Sequence, residues 1–512
     1  MKRFTRVLAV AALVTGGSLS VFGQIPPYGG AAEYVADLAA RRVKTLEALG
    51  PETVLVAWSA PTRVYSADVD YEYRQDSAFL YLTGIEQEET ILVLVPGAKT
   101  RKAIVFSREG DARREHWNGH TLTPAEITAA SGITTVYPLA SFQPFMNALL
   151  GGTGLQQSPE DAATEFGTFF DAIKQNKARL GVLEPIGAVG GRGAAAGQPP
   201  AAPAPGSHAA WALEQQTKFP GVTAAGVGRV IATQRQIKTP YEQKVLRRSV
   251  EISAEAHIEG MKAARPGRWE YEVEAAIEYW YMKNGALSWG YPSIVGSGPN
   301  ATTLHYEKST RQMQNGDLLL VDAAANFQGL TGDITRTYPV NGKYSAEQRA
   351  IYELVLEAQE AGIAAAKAGS PTAAIAQACR AVFARGLLAL GLITEAQPGD
   401  AQNAQISRWF THGPVHGIGL DVHDPLGQQL AAGSAFVIEP GLYIREAVLD
   451  QLPKSPENDA FIAKARPAVQ KYKNIGVRIE DSFLMTADGL VMLSVKAPRQ
   501  MRDIEKIVGT GR

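Results

Sequence analysis

Four acidic residues stand where an apolar strand does not tolerate them, and they constrain this chain more than any other feature. The run Leu318-Leu319-Leu320-Val321 ends in Asp322, and eleven positions on (333 minus 322) Gly332-Asp333-Ile334-Thr335-Arg336 repeats the anomaly. Phe436-Val437-Ile438 leads into Glu439, and Gly476-Val477-Arg478-Ile479 leads into Glu480. A period of two predicts Arg478 and Glu480 on one face of the last strand, with Val477 and Ile479 on the other. Carboxylates buried in such runs are costly unless paired. Arg336 and Arg478 are the strand arginines at hand, too few for four acids, so metal ions are the simplest shared partner.

Histidine usage points the same way. His305, His412, His416 and His423, four of the chain's eight histidines, lie in or beside these segments, and the last three fall within twelve residues. Their run, HGPVHGIGLDVHD from His412 to Asp424, carries glycines that let the backbone approach an ion or substrate closely. Taken singly, each histidine is more often a core or surface residue. Clustered beside buried acids, they favour a site.

A length of 512 residues predicts two domains. Residues 24–235 alternate β-like runs (Thr53 to Trp58, Thr90 to Pro96, Lys102 to Phe106) with helical ones such as Ala31 to Leu49, an α/β pattern. Within it, 187–210 is almost wholly Gly, Ala and Pro, too poor in large apolar side chains to build a core, and is expected to be a flexible surface insertion. The second domain, 236–512, opens with Thr239-Pro240-Tyr241-Glu242, a capping box with proline at the first helical position. Further helices are expected from about Trp269 to Lys283, from Ser345, and from Ser370-Pro371 to near Gly391, giving two helices then strands, twice over.

At the other end, Lys2, Arg3 and Arg6 precede the uncharged run Val7 to Val14, and Val21-Phe22-Gly23 offers a cleavage site. Residues 1–23 are therefore predicted to be a signal peptide, with export to the periplasm or the exterior. The apolar run is far short of the roughly 20 residues a span needs, so no stable membrane span is expected after cleavage. Lys+Arg at 50 against Asp+Glu at 51 leaves no polyanion footprint, and nucleic acid is not an expected partner. Cys379 is the single cysteine, so no intramolecular disulfide forms, and its Ala-rich helical setting predicts a buried structural thiol.

The strings LLLVDAAANFQGLTGDITRTYPVNGKYS, HGPVHGIGLDVHD and IEPGLY together resemble the pita-bread metallopeptidases, the family of aminopeptidase P, prolidase, methionine aminopeptidase and the metal-free creatinase. The resemblance implies an α+β fold: a C-terminal pita-bread domain behind an N-terminal α/β creatinase-like domain. It implies five ligands for two divalent ions, with Asp322 on one, His416 and Glu439 on the other, and Asp333 and Glu480 bridging. Such an oxygen-rich set suits Mn²⁺, with Co²⁺, Zn²⁺ or Fe²⁺ as alternatives. A hydroxide shared by the pair would attack the scissile carbonyl. The resemblance further implies that His423 and His305 stabilise the tetrahedral intermediate from opposite sides and that His412 lines the pocket beyond the cleaved bond. Arg478 is expected to orient Asp333 or contact substrate, and Tyr443 to close the pocket or simply pack.

The large N-terminal domain, with DYEYRQDSAFLYLTG at Asp70 to Gly84, is similar to that of aminopeptidase P, and all five ligands argue against creatinase chemistry. The implied activity is hydrolysis of the bond before a proline in the second position of a peptide. Prolidase, restricted to dipeptides, is the rival, and the length of Arg445 to Asn474 leans toward it. A non-catalytic binding protein on the same scaffold is the alternative of another class. Homo-oligomerisation is common in the family and is expected here.

Overall fold

The computed structural model describes residues 26–153, 159–186, 203–286, 288–395 and 405–511. The expected signal peptide lies outside them, as do residues 187–202 of the expected insertion.

The first helix and strands form where the sequence places them: Ala31–Leu49 is helical and Thr53–Trp58, Thr90–Leu94 and Ala103–Ser107 are strands. They join a six-stranded mixed sheet ordered Thr135–Pro138, Ala103–Ser107, Thr90–Leu94, Thr53–Trp58, Ala178–Val182, Val222–Gly226. Val56 faces Val93 across an antiparallel ladder and Val182 across a parallel one. Both sheet faces are buried, in different cores. Val54, Val56, Val93 and Phe106 pack with Phe145, Phe166 and Phe169, whereas Leu55, Ala57, Leu92 and Val105 join a core that continues into the C-terminal half through Val245, Leu246 and Val250. The two-residue period of a strand thus fastens one half of the chain to the other.

The Gly/Ala/Pro stretch ends earlier than composition suggested. Ser207 caps a helix, His208–Lys218, by accepting from the Ala210 amide at 3.2 Å. Trp58 stacks on His208 with ring centroids 4.1 Å apart, and Trp211 meets Trp58 edge-on. A cap and two aromatic contacts outweigh the weak composition of residues 208–210.

In the C-terminal half the expected order appears: helices Pro240–Ala263 and Glu270–Lys283, strands between Ser288 and Pro339, helices Ala346–Ala365 and Ala373–Ala389, then strands between Ala435 and Met492. The capping boxes at Thr239 and Ser345 are both formed. Glu270–Lys283 packs on strands ordered Ile294–Ser297, Leu318–Asp322, Thr335–Pro339, and Ala346–Ala365 packs on strands ordered Ala435–Ile438, Asp481–Thr486, Gly489–Met492. Residues 445–474 contribute two helices, Ala447–Asp450 and Pro456–Tyr472, the longer of which buries Phe461, Ala465 and Val469 and packs on Ala346–Ala365. Cys379 is buried as expected, its thiol donating to the Ala358 carbonyl at 3.2 Å, and burial pushes its pKa up to about 12. Among the described residues no helix is long and apolar enough to cross a membrane.

Candidate metal centre

The four acids were expected within strands, but only Asp322 is a strand residue, the last of Leu318–Asp322. Asp333 precedes Thr335–Pro339, Glu439 separates Ala435–Ile438 from Gly441–Tyr443, and Glu480 separates Gly476–Arg478 from Asp481–Thr486. These are the junctions where one ladder stops and the next begins. At such breaks a side chain leaves the strict in-out alternation, so acids from four segments turn toward one point. Arg478 and Glu480 still share a side, because Thr335 donates to Glu480 Oε2 at 2.6 Å and accepts from Arg478 Nε at 2.9 Å.

That point is the imidazole of His416. Its Nε2 lies 3.5 Å from Asp333 Oδ2, 3.5 Å from Glu439 Oε1 and 3.9 Å from Glu480 Oε1. Ligand atoms of Asp333, His416 and Glu480 all fall within 4.8 Å of one another. Burial, then the neighbouring His423, lowers the His416 pKa to about 4, so the ring is neutral near pH 7. Its Nδ1 bonds the Gly417 carbonyl at 3.0 Å, which assigns the proton to Nδ1 and leaves the Nε2 lone pair facing three carboxylates. Acceptors that face acceptors at these distances, with Glu480 Oε1 buried and without a hydrogen-bond donor among the described residues, fit divalent cations.

The protonation pattern repeats this reading. Burial, then repulsion from Glu480 and Asp322, drives the Asp333 carboxyl well above its ordinary range, and burial, then Glu480, does the same to Glu439. Glu480 is pushed up to about 8 by burial and then by Asp322. Asp322 is the exception. Burial works against its charge, but the Arg478 guanidinium and the Tyr291 phenol outweigh burial and hold it below the usual carboxylate range.

Arg478 therefore pairs with Asp322 rather than with Asp333. Its buried guanidinium bonds Asp322 Oδ2 at 2.5 Å and the Tyr443 hydroxyl at 2.8 Å, in addition to Thr335. Arg336, the other arginine considered for the acids, is wholly committed to Asp481 at 2.5 Å and to backbone carbonyls. Tyr443 packs on Ile294, Ala301 and Leu320, and its hydroxyl links Arg478 to His412 Nε2 at 2.8 Å. His412 also approaches Glu439, with Nδ1 3.5 Å from Oε2. His423 is exposed and meets the His416 ring edge-to-face at 4.4 Å. His305 is exposed on the loop after the turn Gly298–Thr302, and its neighbours Leu304 and Tyr306 pack on the Tyr443 cluster.

Sequence reasoning missed three contributors. Tyr291 donates to Asp322 Oδ1 at 2.6 Å and also contacts Asp333. Ser482 accepts from the Asp333 amide at 3.0 Å and donates to its carbonyl at 2.7 Å. Thr335 couples Glu480 to Arg478. None is charged, so none stood out in an apolar run; only Thr335, inside the Asp333 motif, gave a signal.

Comparison with known proteins agrees with this architecture. The family profile for Metallopeptidase family M24 matches residues 244–487, and that for the aminopeptidase P N-terminal domain matches 38–156. The chain is 30% identical over 475 residues to the Xaa-Pro aminopeptidase of Haemophilus influenzae, covering 91% of this chain and 96% of that one. It is 29% identical over 468 residues to human Xaa-Pro aminopeptidase 3, covering 90% and 81%. Among solved structures, aminopeptidase P from E. coli with the inhibitor Pro-Leu superposes with a TM-score of 0.73 at 29% identity, covering 92% of this chain and 98% of that chain. The same enzyme, zinc-substituted and with product, gives 0.71 at 30% identity, covering 93% and 99%.

Proposed function

The chain belongs to metallopeptidase family M24, and we propose that it is an exported Xaa-Pro aminopeptidase, hydrolysing the bond between an N-terminal residue and a following proline. The observation that carries this reading is the convergence of Asp333, Glu439 and Glu480 on the neutral His416 imidazole, with Asp322 joined to Asp333 through Tyr291. Asp322, Asp333, His416, Glu439 and Glu480 would hold two divalent ions. Such ions supply Lewis acidity, activating water at neutral pH and polarising the scissile carbonyl. The donor set, one nitrogen among carboxylate oxygens, favours Mn²⁺.

The remaining residues orient and bind. Arg478 and Tyr291 fix the Asp322 carboxylate, and Thr335 fixes Glu480. His423, exposed beside His416, donates a hydrogen bond to the oxygen on which negative charge develops, and His305, on the exposed loop after Gly298–Thr302, takes the matching role. His412, steadied by Tyr443, lines the pocket for proline, whose ring nitrogen brings no amide donor to be satisfied.

The deciding experiment loads purified protein with Mn²⁺ and offers Gly-Pro, Gly-Pro-Xaa and Gly-Ala-Xaa peptides. Release of glycine from Gly-Pro-Xaa but not Gly-Ala-Xaa supports the reading. Cleavage of Gly-Pro alone replaces it with a dipeptidase, and binding of peptides without turnover replaces it with a recognition protein. N-terminal sequencing of the mature chain tests cleavage near Gly23, and sedimentation tests the expected homo-oligomer.

A further inference from the structure

The loop that carries His416 and His423 is held by a set of charges, buried but for Asp421, that no ligand role explains. Asp424, with only 1% of its side chain exposed, receives Lys238 Nζ at 2.6 Å, contacts the Arg235 guanidinium, and accepts from the Asp421 amide at 3.1 Å. Arg235 reaches Asp421 Oδ2 at 2.6 Å, and the other oxygen of Asp421 accepts from Ser77 at 2.8 Å. Ser77 and neighbouring Arg74 come from the N-terminal α/β half, and Arg74 also donates to the Leu420 carbonyl at 3.2 Å. Arg235 and Lys238 lie where that half gives way to the first helix of the other, Pro240–Ala263.

Buried ion pairs add little net stability over apolar packing, yet removing one partner is expensive because the other is stranded. What such a cluster supplies is geometry. Here the geometry it sets is a tight reversal: the Asp424 amide bonds the Gly417 carbonyl at 2.9 Å, and a Cβ on Gly419 would sit 2.8 Å from Asp424 Oδ2. Val422 and His423 are the two residues between the bonds made by Asp421 and the bonds made by Asp424. His416 bonds the same Gly417 carbonyl through Nδ1, so its placement is told apart from that of His423 by the metal each variant retains.

We propose that Asp424, Arg235, Lys238 and Asp421 form a positioning device that aims His423 at the substrate and makes that aim depend on the seating of the N-terminal half. This rests on His423 contacting substrate, as proposed above. The test is a set of double-mutant cycles at saturating Mn²⁺, with bound metal measured on every variant. His423→Ala alone should lower kcat by about 10²-fold or more. Asp424→Asn and the milder, half-exposed Asp421→Asn should lower kcat about 10-fold or more with bound metal retained, Arg235→Lys should recover much of the activity lost in Arg235→Met, and each change should be nearly silent in the His423→Ala background. Equal fold losses with and without His423 overturn the proposal, as does full activity in Asp421→Asn and Asp424→Asn. Full activity in His423→Ala removes the role of His423 itself and this proposal with it.

Discussion

Replacing Arg336 by methionine tests whether the centre's framework is electrostatic. Arg336 and Asp481 are both fully buried, one residue beyond Thr335 and Glu480 respectively. The guanidinium donates to Asp481 Oδ1 at 2.5 Å and to the carbonyls of Pro498 (3.0 Å), Thr335 (2.9 Å), Glu480 (2.5 Å) and Ala497 (2.8 Å). Methionine fills much of the volume but strands Asp481, at a cost of about 3–5 kcal/mol for a broken buried pair. Gln359 and Ser494 still donate to Asp481, at 3.0 and 2.6 Å, which holds the cost within that range. The four carbonyls each lose a donor worth about 1 kcal/mol, partly offset by relaxation, so a total of about 5 kcal/mol or more is expected. Asp481→Asn alone should cost about 3 kcal/mol, and the double variant should fall short of the sum by about 3 kcal/mol or more, so that it is no less stable than Arg336→Met, because no charge is left unpaired. The assay is urea unfolding of chelated proteins, followed by tryptophan fluorescence, to which Trp409, fully buried in the same half, contributes. A loss under about 1 kcal/mol for Arg336→Met, or strict additivity in the cycle, would refute the reasoning.

Three further outcomes follow from the same contacts. Glu480, raised to about 8 from 4.5, binds its proton more tightly folded than unfolded, so in chelated protein its contribution to stability is full below pH 4.5 and is lost as pH rises toward 8. Urea titrations should show wild type losing stability relative to Glu480→Gln across that window, and a pH-independent difference would contradict it. Arg478→Lys keeps the charge but loses the fork that reaches Asp322, Thr335 and Tyr443 together, so Mn²⁺ affinity should fall about 10- to 100-fold in a calorimetric titration; unchanged affinity would show that Asp322 needs no such support. Cys379, buried and with its thiol pKa pushed up to about 12, should react with a thiol reagent only on unfolding, and labelling of the native protein at the rate of a free thiol would place it wrongly.

The local sequence determined a good deal. The capping boxes at Thr239 and Ser345, the helix Ala31–Leu49, and the strands around Val56, Leu92 and Val321 depend on near neighbours and on a regular period, and both are visible in one dimension. The acids were visible because charge inside an apolar run violates that period. What the sequence could not decide is which groups meet. Arg478 settles on Asp322, 156 positions away, and Arg336 turns from the centre to Asp481; either pairing is compatible with the same strand pattern. Tyr291 and Ser482 enter the centre unannounced because a lone hydroxyl carries no meaning until an acid from a distant strand lies within 3 Å or so. Composition and period fix what a segment becomes, since those are local free energies; the metal centre's partners are fixed by the closing of junctions between ladders, a choice made only when the whole chain has packed.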